Sequence, residues 1–189
     1  MKGEAEAAAR PAPAAPRIFG SDVAHRMADF AQRNAERAGV AQAVQVRGGD
    51  ALQRQPPCAA PGLILMNPPY GGSEQDIIKH NFPAELRSSE TADLFIALAM
   101  YRLKTHGRAA IIIPDGFLFG NDGAKTALKT RLLTEFNLHT IIRLPKSVFA
   151  PYTPITTNIL YFDKPAAGEA PGETLWYYRV DIPADRKAF

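Results

Sequence analysis

Apolar positions in this chain fall into short, sharply bounded runs separated by stretches with helical spacing. RIFGSD (17–22) reads as a short strand ending in a turn. Val23, Met27, Phe30, Ala31, Asn34, Ala35 and Ala38 then recur at helical spacing, and Gly39 stops the helix. VQVRGGD (44–50) reads as a strand closed by two glycines and an acid. Residues 51–61 carry Pro56, Pro57 and Pro61 and read as loop. GLILM (62–66) is a continuous apolar run between turn residues, the pattern of a strand buried on both faces. A polar loop is expected over 71–90. A helix over 91–105 is apolar nearly all round and should pack deeply before stopping at Gly107. RAAIIIP (108–114) predicts a buried strand, 122–136 a helix, and 139–145, 157–164 and 174–180 further strands. Strands alternating with helices imply an α/β fold with a mostly parallel sheet. The last two strands have no helix between them and predict an antiparallel hairpin at an edge.

Composition narrows the class without naming a chemistry. The chain has 189 residues, 46% hydrophobic and 22% charged, as one soluble globular domain would. Residues 1–16 are Ala/Pro-rich with little to bury, and predict a disordered tail ahead of a globular part over 17–189. The net charge of +3 is compatible with a nucleic-acid partner but does not require one. A single cysteine, Cys58, excludes an internal disulfide or a cysteine-cluster metal site and suits a reducing, cytoplasmic setting. No apolar run is long enough to span a bilayer, and the N-terminus lacks the apolar core of a secretory signal. His80 and His139 have no acid or cysteine at ligand spacing, so no metal site is expected. Lys125, Lys129 and Arg131, near helical spacing, read as a solvated helix face, with phosphate contact as the alternative.

The chemistry concentrates where the apolar run 63–66 meets Asn67-Pro68-Pro69-Tyr70. Ligands of parallel sheets sit at the carboxyl ends of strands. Two prolines in a row make a stiff segment without N–H donors. The Asn67 side-chain oxygen and the Pro68 carbonyl can therefore act as convergent acceptors for an exocyclic amino group. Bonding both hydrogens localises the nitrogen lone pair and makes the nitrogen nucleophilic. Pro69 stiffens the segment, and Tyr70 offers a face on which a flipped base can stack. The plainer alternatives are a strand-terminating turn or a Pro-Pro-Tyr ligand for a WW-type module. Asp22 and Asp50 also follow strands, where carboxylates can accept from a ribose hydroxyl and an adenine amino group. Their alternatives are a helix cap and a turn cap.

These residues resemble known families. Asn67-Pro68-Pro69-Tyr70 after an apolar strand resembles the motif of S-adenosylmethionine-dependent amino-methyltransferases. HNFPAELRSSETADLFIALAMYRLKTHGRAAIIIPDGFLFG, LLTEFNLHTIIRLPKSVFAPYTPITTNILYFDK and WYYRVDIPADRKAF resemble the modification subunit of type I restriction enzymes, over about residues 67–189. RIFGSDVAHRMADFAQRNAERAGV, GGDALQRQPPC and GLILMNPPYG (within 17–71) are more similar to THUMP-type ribosomal-RNA guanine-N2 methyltransferases. The resemblance implies a Rossmann-like methyltransferase sheet, S-adenosylmethionine as cofactor, methylation of adenine N6 in DNA, and specificity and restriction subunits as partners. Guanine N2 in ribosomal RNA, or a non-catalytic assembly fragment, are the alternatives. By the same resemblance Asn67 and Pro68 accept from the target amine, Tyr70 stacks on the base, Asp22 meets the cofactor ribose and Asp50 its adenine. Phe117, in Asp115-Gly116-Phe117, is either a pocket wall or part of a plain strand-to-helix turn, and the turn is favoured. Both families also carry a first strand with a glycine-rich turn such as Asp-Pro-x-Cys-Gly-x-Gly. No such turn occurs here, so the sheet is expected to be incomplete, with weak cofactor binding or none and an inactive fragment when the chain is isolated. Direct pairing of strand 17–21 with 62–66 is one way to close that gap.

Overall fold

The computed structural model describes residues 18–50 and 62–182. The expected tail over 1–16 and the expected loop over 51–61 lie outside the described residues. The chain divides into two compact units, Met1–Ala59 and Ala60–Phe189.

In the first unit, strand β1 (Ile18–Asp22), helix α1 (His25–Arg37) and strand β2 (Val44–Gly48) form a β–α–β element. The two strands pair in parallel, with Asp22 opposite Gly48. Gly39 ends the helix in the left-handed region at φ 69°, which glycine adopts without steric cost.

The second unit holds strands β3 (Leu63–Met66), β4 (Arg108–Pro114), β5 (Asn137–Arg143), β6 (Thr157–Asp163) and β7 (Trp176–Arg179). Their order across the sheet is β3-β4-β6-β5-β7. β3 runs parallel to β4 and β7 parallel to β5, while β6 lies antiparallel to both β4 and β5. Four strands thus point one way and β6 the other. The expected β6–β7 hairpin does not form. β6 fills the space between β4 and β5, and β7 lies on the far side of β5. The absence of an intervening helix signalled an antiparallel strand correctly but named the wrong partner. The described strands form two sheets, β1 with β2 in the first unit and β3 to β7 in the second.

Helix α3 (Thr91–Arg102) is buried over most of its length, as its apolar sequence predicts. With helix α5 (Gly123–Thr134) it packs on the sheet around Ile96, Ile111, Ile113, Phe117, Leu128, Leu132, Leu160 and Phe162, all fully buried. Each such side chain contributes roughly 1.5–3 kcal/mol of transfer free energy. Two short helices, α2 (Asp76–Lys79) and α4 (Asp115–Phe119), complete the unit. α2 lies inside the stretch 71–90 expected to be loop. The expectation that 62–66 is buried on both faces fails. β3 is an edge strand of its sheet, and Leu63 and Leu65 are 53% and 70% exposed. Only Ile64 and Met66 pack against the core.

Candidate active site

Because β3, β4, β5 and β7 share one direction, their last residues (Met66, Pro114, Arg143 and Arg179) and the first residue of β6 mark one edge of the sheet. Asn67-Pro68-Pro69-Tyr70 leaves the sheet at this edge. Pro68 is buried, Asn67 and Pro69 are exposed, and Tyr70 is half-buried. The Tyr70 hydroxyl donates to Asn67 Oδ1 at 2.5 Å. This bond fixes the orientation of the Asn67 amide and occupies one lone pair of its oxygen; the other remains for a second donor. Burial pushes the Tyr70 phenol up to about 12, so the hydroxyl stays a donor across the neutral range.

The chain turns sharply after Tyr70. Gly71 sits at φ 68°, where a side chain would be strained. Gly72 has no room for a Cβ because the Thr91 hydroxyl lies in that space. The Gly72 carbonyl accepts from Thr91 N at 2.9 Å, and Thr91 Oγ1 donates to Glu74 at 3.1 Å. The motif is thus held between the end of β3 and the first turn of α3.

The sequence reading did not single out Phe149. It lies in the loop 144–156 between β5 and β6, and its ring meets Tyr70 edge to face, 5.9 Å between centroids and 72° between planes. The available signal was an aromatic between two strands whose ends share an edge with Tyr70. That signal needs the strand order, which the sequence did not provide. Asp115, one residue past β4, receives both Arg143 guanidinium nitrogens at 3.1 and 2.7 Å, and Asn158 Nδ2 at 2.7 Å. Phe117 is fully buried in the core and lies in α4 directly after β4, a strand-to-helix turn.

Asp22 and Asp50 belong to the first unit and follow its two parallel strands. Asp22 Oδ1 accepts from Ala24 N at 2.8 Å, a local turn ahead of α1; the N-cap of α1 is Ala24, with no side-chain cap bond, so Asp22 is not the helix cap. Asp50 is half-buried.

The basic helix face needs correction. Lys125 is buried, and its Nζ lies 2.8 Å from Glu90, 3.0 Å from Asp93 and 3.0 Å from Asp122. Asp93 is fully buried and also accepts from Ser88 Oγ at 2.6 Å. Burial pushes the Asp93 carboxyl up, while Ser88 and Lys125 pull it down. Burial opposes the Lys125 charge too, but its three carboxylates prevail and hold it protonated. Lys129 donates to the carbonyls of Leu118 and Gly120, and Arg131 pairs with Glu85 and Glu135. The helix spacing was read correctly, but its neighbours are carboxylates and carbonyls more than solvent. His80 Nδ1 lies 2.6 Å from the Asp76 carbonyl, and His139 Nε2 3.7 Å from Asp163. Among the described residues no cluster of three metal-ligating side chains occurs, and no helix is long and apolar enough to cross a membrane.

A family profile described as N-6 DNA Methylase matches residues 8–182. The chain belongs to the N-6 DNA methylase family. It is 52% identical over 121 residues to the type I restriction enzyme EcoEI methylase subunit of Escherichia coli, covering 64% of this chain and 24% of that protein. Among solved structures it is similar to a modification subunit attributed to a type I restriction enzyme of Vibrio vulnificus YJ016. That match has a TM-score of 0.76 and 37% identity, over 91% of this chain and 37% of the other. It is also 44% identical over 55 residues to ribosomal RNA large subunit methyltransferase K/L of Shewanella sp. strain W3-18-1, covering 29% of this chain and 8% of that protein. Relatives of both kinds, type I methylase subunits and a ribosomal RNA methyltransferase, are thus found, while the N-6 methylase profile runs over residues 8–182. The chain spans about a quarter of the length of the type I methylase subunits it matches. The fold is that of class I methyltransferases, as a neighbour at TM-score 0.70 and 20% identity shows.

Proposed function

We propose that the chain is the catalytic-core portion of a type I modification subunit that methylates adenine N6 in DNA with S-adenosylmethionine. The observation that carries this reading is the Asn67 amide at the carboxyl edge of the sheet, bonded to Tyr70, whose ring in turn meets Phe149. The Asn67 oxygen and the Pro68 carbonyl accept the two amino hydrogens of a flipped adenine. The lone pair is then localised on the amino nitrogen, which becomes the nucleophile. Tyr70 supplies the stacking face, with Phe149 as the second aromatic wall. The Tyr70 hydroxyl holds the amide against rotation as the nitrogen changes geometry. Catalysis here is positioning plus acceptor contacts, with no covalent enzyme intermediate. The proton released by the methylated nitrogen leaves on the acceptor side, past the exposed Asn67, to solvent.

S-adenosylmethionine supplies an electrophilic sulfonium methyl. The donor set suits its nucleoside half: Asp22 and Asp50, after neighbouring parallel strands, would accept from the ribose hydroxyls and the adenine amine. Among the described residues no glycine-rich turn is present for the methionine half, so weak binding by the isolated chain is part of the proposal. DNA and the specificity and restriction subunits of a type I complex are the partners, and the compartment is the cytoplasm. The K/L relative supports a second reading, methylation of ribosomal RNA, for which the resemblance in the sequence implies guanine N2.

One experiment separates the readings. The matched segment of the EcoEI methylase subunit is replaced by this chain's residues, and the assembled enzyme is given labelled S-adenosylmethionine with DNA or ribosomal RNA. N6-methyladenine in DNA is expected. N2-methylguanine in RNA establishes the second reading, and no transfer by a cooperatively melting chimera leaves the assembly fragment.

A further inference from the structure

One carboxylate closes the base of the loop that carries Phe149. The loop leaves the sheet after Arg143, the last residue of β5, and returns at Thr157, where β6 begins. Arg143 and Asn158 stand opposite one another in the β5–β6 register. Asp115 reaches both: its two oxygens receive the Arg143 fork, and Oδ1 also receives the Asn158 amide. Backbone bonds repeat the closure, from Leu144 N to the Thr157 carbonyl at 2.9 Å and from Asp115 N to the Thr156 carbonyl at 3.1 Å. Beyond this base, Tyr152 N and Thr153 N both donate to the Phe149 carbonyl, so the loop's turns carry its orientation up to the ring. The Phe149 ring then meets Tyr70.

The arrangement is directional. A bidentate guanidinium–carboxylate pair fixes an angle as well as a distance, which a single backbone bond does not. Arg143 is also held from the other side, over the Phe119 ring at 6.0 Å. Asn158 is fully buried and its Oδ1 has no hydrogen-bond partner among the described residues. The side chain therefore keeps its place through the Nδ2 bond to Asp115, since turning the amide over would put an acceptor against a carboxylate.

We propose that Asp115 is a positioning residue for the base site, acting through Arg143 and Asn158 to set the 144–156 loop so that Phe149 stands against Tyr70. The proposal rests on the base-binding reading above for its functional meaning, and on the loop geometry alone for its structural content. Asp115 touches neither base nor cofactor in this role.

The test uses the full chain. Its single tryptophan, Trp176, is replaced by Phe, and Phe149→Trp places a fluorophore on the loop. Into this background go Asp115→Asn, which removes the charge and one acceptor, Arg143→Lys, which keeps the charge but loses the fork, and Asp122→Asn, which weakens a carboxylate–lysine contact on α5. Iodide quenching of the loop fluorophore is expected to rise by about twofold or more in the first two, with cooperative melting retained, and to stay unchanged in the third. Unchanged quenching in Asp115→Asn and Arg143→Lys overturns the proposal. Should Asp115→Asn fail to melt cooperatively, Arg143→Lys decides. The response of a 2-aminopurine duplex to the chain with Phe149 and Trp176 intact is read separately. Asp115→Asn should weaken it as Phe149→Ala does. No response from the unsubstituted chain overturns base binding, while the quenching result still decides the positioning role.

Discussion

The Tyr70 hydroxyl is the residue-scale detail with the sharpest measurable consequence. Its folded-state value near 12 lies above the ordinary phenol value of 10.0 because burial disfavours the phenolate. Between those values the unfolded chain has released this proton and the folded chain has not. Stability therefore falls as pH rises from about 10 to about 12, and is untouched by this group below that window. Tyr70→Phe should flatten the decline in urea midpoints over this range, and an unchanged slope would sink the assignment. At this scale the sequence was informative in one place and silent in another. Asn67, Pro68 and Tyr70 stand out in the sequence because two prolines and an aromatic follow directly on an apolar run. Phe149 and Asp115 were not, because what matters about each is a partner far along the chain, 79 residues from Tyr70 to Phe149 and 43 from Asp115 to Asn158 by their numbering.

At the element scale, α3 and α5 are tied by charge as well as by apolar packing. Lys125 on α5 reaches the fully buried Asp93 on α3, and Asp122 caps α5 by accepting from Lys125 N at 3.0 Å. Removing one partner of a buried ion pair leaves the other uncompensated. Lys125→Met should destabilise the protein by about 3–5 kcal/mol in urea unfolding, and adding Asp93→Leu should recover part of the loss. A loss under about 1 kcal/mol in the single variant would show that Asp93 is already neutral or solvated. The helices themselves were readable from periodicity, yet this tie was not. A lysine at helical spacing looks the same whether it faces water or three carboxylates. β3 shows the opposite limit. Its unbroken apolar sequence is the mark of a central strand, but its position at a sheet edge leaves Leu63 and Leu65 exposed. Composition records what a strand is suited to pack against, and the neighbours in the fold determine how much of it is covered.

At the scale of the whole molecule, the alternation of strands and helices made the α/β class legible. The strand order was not legible, because the antiparallel β6 enters between β4 and β5 through a loop whose length does not announce its destination. That insertion is what gives the site its second half. It brings the Arg143 and Asn158 ends of the loop under Asp115 and the Phe149 ring to Tyr70. The central claim is that the Asn67 oxygen accepts from the reacting amine. The most direct measurement is single-turnover methyl transfer to DNA by the EcoEI chimera carrying Asn67→Ala. Asn67 is exposed, but its oxygen is the acceptor for the Tyr70 hydroxyl, so its loss should cost about 0.5–1.5 kcal/mol while the chimera still melts cooperatively. The account predicts a fall in the transfer rate of about 10²–10³ with DNA binding unchanged, in line with the loss of one preorganised electrostatic contact. A rate within about threefold of the unsubstituted chimera would contradict it, since a contact made in the transition state cannot be removed so cheaply.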